Sequence, residues 1–112
     1  KLKSKIMITY VRELTNENFK ESISTGLVIV DVWAPWCNPC KTLSPIIDEI
    51  GSHFGESVLV GKLDADANSE IVKELGVRSI PTVLIYKDGE VVERFVGVKT
   101  KADIIEMMEN HK

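Results

Sequence analysis

Cysteine is almost missing from this chain: its 112 residues contain two, Cys37 and Cys40. Two cysteines cannot build the dense framework of a small secreted scaffold, so a hydrophobic core must carry the fold. The length is enough for one such core. Histidine is equally scarce, and neither His53 nor His111 has the spacing from Cys or His that a zinc site needs. No apolar stretch approaches the roughly 20 residues that span a bilayer. Positive charge is not in excess: 14 Lys and Arg stand against 17 Asp and Glu, a net charge of −3. That balance removes the electrostatic case for nucleic acid or an anionic membrane as partner. Internal repeats, low-complexity tracts and linkers are also missing. What remains, with 44% hydrophobic and 28% charged residues, is the composition of an ordinary soluble globular protein.

The start, Lys1-Leu2-Lys3-Ser4-Lys5, is basic, but no long apolar stretch follows it, so it does not read as a secretory signal. Residues 1–6 are expected to form a solvated tail and residues 7–112 a single domain. The first residue is not methionine, which leaves open the earlier removal of a targeting segment. A cytosolic home is favoured, because a Cys-x-x-Cys pair there is more often catalytic than structural.

Hydrophobic patterning predicts the order β-α-β-α-β-α-β-β-α. Ile8 to Val11 form a β-prone first strand. Thr15 to Asn18 offer capping residues for a short helix with Phe19 and Ile23 on one face, and Gly26 ends it. Leu27 to Trp33 are almost continuously apolar, the mark of a strand covered on both faces. Pro39 suits the start of the next helix. Leu43, Ile46, Ile47, Ile50 and Phe54 give that helix its apolar face, with Pro45 inside it as a kink and Gly55 at its end. Val58 to Leu63 form another strand. Asn68 or Ser69 caps a short helix carrying Ile71, Val72 and Leu75, which Gly76 closes. Thr82 to Tyr86 and Glu90 to Val96 flank Lys87-Asp88-Gly89, a strong hairpin signal. Thr100 with Asp103 opens a last helix bearing Ile104, Ile105 and Met108. The fold class is α/β. Alternating strands and helices imply parallel crossovers, so three parallel strands plus an antiparallel C-terminal hairpin make a mixed five-stranded sheet with helices on both faces.

Cys37-Asn38-Pro39-Cys40 lies where the second strand turns into the second helix. At a helix N-terminus, unpaired N–H groups and the macrodipole favour a thiolate, the nucleophilic form of cysteine. Cys40 lies one turn on and points back, so the pair can cycle between dithiol and disulfide with little backbone movement. A purely structural role is weak, because so short a loop removes little unfolded-state entropy. Asp31 interrupts the apolar strand six residues before Cys37. An isolated buried carboxylate takes up a proton or finds a partner, and a near-neutral Asp behind a dithiol can accept a proton and return it. Lys62, between apolar residues of the third strand, reads equally as that partner or as a lysine snorkelling from an edge.

Trp33-Ala34-Pro35-Trp36-Cys37-Asn38-Pro39-Cys40-Lys41 resembles the active-site signature of the thioredoxin family, and Ser79-Ile80-Pro81-Thr82 resembles its cis-proline loop. Asp31, Pro45, Lys62, the Lys87-Asp88-Gly89 turn and Phe95-Val96-Gly97 fall at matching places, so the resemblance covers about Ile8 to the C-terminus. It implies a thioredoxin-like fold and a protein-disulfide reductase serving cell redox homeostasis. Cys37 is implied as attacking nucleophile and Cys40 as resolving thiol. Asp31, helped by Lys62, is implied as the base that deprotonates Cys40. Trp36, Asn38, Pro39, Ile80, Pro81, Val96 and Gly97 are implied to form the substrate surface, with Trp33 as packing. Only about 5–6% of X–Pro bonds in folded proteins are cis, so the residues alone read Pro81 as a trans strand-starter, and only the resemblance makes it cis. The implied partners are protein disulfides and an NADPH-dependent thioredoxin reductase, with no bound cofactor or metal and a monomer as the default state. Two departures stand out: Asn38 and Ser79 occupy positions where thioredoxins commonly have glycine. A donor from Asn38 aimed at the Cys37 sulfur would raise the reduction potential. The alternatives are an extracytoplasmic disulfide oxidase or isomerase, and a subunit that binds a partner regardless of redox state.

Overall fold

The structure, a computed structural model, describes residues 10–112. The expected tail, and Ile8 and Thr9 of the expected first strand, lie outside the described residues. The elements are β1 (Tyr10–Leu14), α1 (Phe19–Ser22), β2 (Leu27–Trp33), α2 (Asn38–Phe54), β3 (Val58–Asp64), α3 (Ser69–Glu74), β4 (Thr82–Lys87), β5 (Glu90–Val96) and α4 (Lys101–Glu109). A single 3-10 turn, Gly55–Ser57, links α2 to β3.

The five strands are ordered β1-β3-β2-β4-β5. β1, β3 and β2 are parallel, β4 runs antiparallel to β2, and β5 completes the hairpin. The mixed α/β sheet is therefore the one that the pattern predicts. β1 extends to Leu14, beyond the expected Val11, because it is an edge strand: Val11, Arg12 and Glu13 are exposed and hide the strand from an apolar pattern.

β2 is the central strand and packs on both sides. Leu27 and Ile29 point toward Leu43, Ile47 and Ile50 of α2 and Ile104 and Met108 of α4. Val28, Val30 and Val32 point the other way, toward Phe19 of α1 and Ile71 of α3. Strand side chains alternate between faces, so Asp31 shares the α2 face with Leu27 and Ile29. This parity puts a carboxylate beneath the helix that carries the cysteines.

The hairpin turn has Asp88 at φ 50° and Gly89 at φ 90°, the paired left-handed conformations that suit an Asp-Gly loop. Thr100 caps α4 through Oγ1, which accepts from Asp103 N at 3.1 Å. The two asparagines expected as caps act differently. Asn18 Oδ1 accepts from Thr15 N, and Thr15 Oγ1 accepts from Asn18 N, closing the loop ahead of α1. Asn68, 7% exposed, accepts from Asn16 N and donates to the carbonyls of Leu14 and Asp64, tying the ends of β1 and β3 together. α2 is continuous through Pro45.

Candidate active site

α2 begins immediately after Cys37, which is its N-cap residue, in extended conformation at φ −92° and ψ 111°. Pro39 occupies the first turn, where its missing N–H removes no helical hydrogen bond. Cys37 Sγ accepts from Cys40 N at 3.1 Å, so one of the orphan donors of the first helical turn is spent on sulfur. Cys37 and Cys40 form a disulfide with Cα atoms 5.3 Å apart. Both cysteines are buried, together with Ala34, and Trp33 and Ile80 pack against them.

The site has two sides. On the outer side Trp36 is 68% exposed and Val96 61% exposed, the two most exposed of the large hydrophobic side chains among the described residues. Trp36 Nε1 donates to Asp66 Oδ2 at 2.9 Å, which fixes the indole against the β3–α3 loop. Asn38 and Pro39 are also exposed. The Ile80–Pro81 peptide is cis, and Pro81 O accepts from Gly97 N at 2.9 Å, which joins the loop before β4 to the end of β5. Ile80 thus packs against the cysteines at the helix start, where Trp36, Asn38 and Pro39 also lie, and Val96 and Gly97 adjoin the Pro81 loop through the β4–β5 pairing.

On the inner side a cleft of about 440 Å³ runs from Cys40 to Asp31. Trp33, Lys41, Ser44, Asp48 and Lys62 also line it, whereas Cys37 does not. Trp33 is half-buried there rather than sealed in the core. Asp31 is 1% exposed, and its Oδ1 has no hydrogen-bond partner among the described residues. Desolvation pushes the Asp31 carboxyl above the usual carboxylate range, against the pull of the Lys62 ammonium. Lys62 Nζ lies 3.5 Å from Asp31 Oδ2, and Asp31 and Lys62 are register partners on β2 and β3. Of the two readings of Lys62, the structure shows the partnered one.

Sequence reasoning did not single out Ser44, Asp48 or Asp66. Ser44 Oγ accepts from Lys62 Nζ at 2.9 Å, and Asp48 Oδ1 lies 3.1 Å from the same nitrogen. Their signal is spacing: Cys40, Ser44 and Asp48 are four apart and share one face of α2. Among the described residues no His, Cys, Asp and Glu cluster could hold a metal ion, and no helix is long and apolar enough to cross a membrane.

A dithiol at a helix N-terminus, on a mixed sheet and beside a cis-proline, defines a thiol–disulfide oxidoreductase. The family model described as thioredoxin matches residues 10–110. Thioredoxin from Bacillus subtilis (strain 168) is 43% identical over 97 residues, spanning 87% of this chain and 93% of the relative. Thioredoxin from Listeria monocytogenes is 43% identical over 101 residues, spanning 90% and 98%. Among solved structures, a mutant thioredoxin from Halobacterium salinarum NRC-1 superposes with a TM-score of 0.83 at 26% identity, covering 91% of this chain and 90% of that one. The chain belongs to the thioredoxin family and is a protein-disulfide reductase with a redox-active cysteine pair. Its partners are, in general terms, protein disulfides and a reductase.

Proposed function

We propose that this chain reduces protein disulfides in the cytoplasm as a monomer, and that an NADPH-dependent thioredoxin reductase returns it to the dithiol. One observation carries the division of labour: Cys40 lines the cleft shared with Asp31, while Cys37 sits outside that cleft at the helix cap. The Cys37 thiolate, favoured by the Cys40 N–H and the helix end, attacks one sulfur of a substrate disulfide. A Cys37–substrate disulfide forms, and the first substrate thiolate leaves and takes up a proton. Cys40 gives its proton to the Asp31 carboxylate and attacks Cys37 Sγ. The Cys37–Cys40 disulfide closes, the second substrate thiolate is expelled, and two electrons have passed to the substrate. Lys62 limits the penalty of the buried Asp31 charge.

Trp36, Asn38, Pro39, Val96 and Gly97 form the substrate surface, and Ile80 with Pro81 offers backbone to an extended substrate segment. Insulin-disulfide reduction tests the scheme. Cys37→Ser is expected to abolish turnover, and Cys40→Ser to accumulate mixed disulfides. Normal turnover by Cys37→Ser would falsify the scheme.

A further inference from the structure

The proton acceptor described above shares its cation with two residues of the neighbouring helix. We propose that Ser44 and Asp48 are positioning residues that hold the Lys62 ammonium back from Asp31, and so preserve the affinity of Asp31 for a proton. The inference rests on the reading of Asp31 as the acceptor for Cys40, and it can be tested apart from that reading.

The distances set out the competition. Lys62 Nζ is 2.9 Å from Ser44 Oγ and 3.1 Å from Asp48 Oδ1, but 3.5 Å from Asp31 Oδ2. N–H···O bonds normally span about 2.7–3.2 Å, so both short contacts belong to α2 and the long one to the buried acid. Asp31 Oδ1 has no hydrogen-bond partner among the described residues. Asp48 is 58% exposed and keeps much of its hydration while it holds the ammonium. Asp31 is 1% exposed and has no such reserve.

A full Lys62–Asp31 contact would stabilise the carboxylate and make it a poor proton acceptor. Withdrawing Lys62 altogether would remove the pull that opposes desolvation and raise the proton affinity of the carboxyl further. A tethered lysine at the limit of contact lies between these extremes. The direction of the Asp31 perturbation agrees, because desolvation outweighs Lys62, and Asp48 adds to the rise.

The other groups around Asp31 are accounted for. Lys41 of α2 lines the same cleft, Glu13 of β1 stands in register with Lys62, and β4 contributes apolar Val83 opposite Asp31. The test leaves all three in place.

The experiment is a carbon-13 titration of the Asp31 carboxyl in the oxidised protein. It compares wild type, Ser44→Ala and Asp48→Asn, then repeats both substitutions in a Lys62→Met background. Ser44→Ala adds and removes no charge, so its effect reports the tether. Each single variant is expected to lower the proton affinity of Asp31, by up to roughly tenfold. With Lys62→Met, the Ser44→Ala effect should vanish and the Asp48→Asn effect should shrink. An unchanged or raised affinity in Ser44→Ala, or drops of equal size without Lys62, would overturn the inference. The pH profile of insulin reduction, recorded alongside, separates the two readings. A carboxyl that shifts as expected while the profile stays still supports the tether and removes Asp31 from proton transfer. A carboxyl that stays still while Asp31→Asn loses activity overturns the tether and leaves the acceptor in place.

Discussion

Asp31 and Lys62 face each other in register across two parallel strands, yet Oδ2 and Nζ stop 3.5 Å apart. The carboxyl is fully enclosed and the lysine partly so, which leaves an incompletely compensated charge beneath the catalytic helix.

Stability should therefore depend on the ionisation of Asp31. Its folded pKa is raised above the unfolded value of about 3.9. The native state thus binds this proton more tightly than the unfolded chain does. The stabilisation is complete below about pH 3.9 and is lost as pH rises through the folded value. Asp31→Asn has no charge to bury. Its unfolding free energy should exceed that of wild type at pH 8, and the two should converge at pH 3. The same variant should slow insulin reduction. Equal values at pH 8 would remove the burial argument.

Asn38 is exposed at the first position of α2, while the hydrogen bond to Cys37 Sγ comes from the Cys40 backbone. Asn38→Gly keeps that bond. Its reduction potential against glutathione should move by less than about 30 mV, equivalent to about 1.4 kcal/mol for a two-electron couple. A larger drop would mean that the amide donates to the thiolate in the reduced protein.

Gly61 lies mid-strand in β3, and a Cβ there would come within 2.5 Å of Leu14 Cδ1. Leu14 is completely buried among Phe19, Val28 and Leu63, so it has little room to retreat. Gly61→Ala should destabilise the protein by roughly 1–3 kcal/mol, and Leu14→Val should recover part of that loss. Urea unfolding of the single and double variants checks both.

Thr100→Ala removes the side-chain acceptor for Asp103 N. Chemical denaturation should show a loss of about 1 kcal/mol. Insulin reduction should be unchanged, because α4 contributes no residue to the cleft that holds Cys40 and Asp31.

Much of this molecule could be read before any coordinates. Leu27 to Trp33 are legible to the residue because a central strand must be apolar on both faces, and the lone Asp31 stands out against them. The hairpin is legible because few sequences other than Asp88-Gly89 suit paired left-handed residues. β1 is poorly legible because Arg12 and Glu13 lie on an open edge where polarity carries no penalty. Asn18 and Asn68 look like ordinary caps, and only tertiary contact shows Asn68 stitching β1 to β3. Ser44 and Asp48 were silent for a similar reason: a polar stripe on an amphipathic helix usually faces water, and nothing local reveals that Lys62 reaches it.

Both sulfurs belong to a single turn of a single helix, and the sheet beneath is anchored on two faces. Opening and closing the bridge therefore requires no hinge, lid or rearrangement of layers. Such a molecule can pass electrons between a donor and an acceptor as a nearly rigid body.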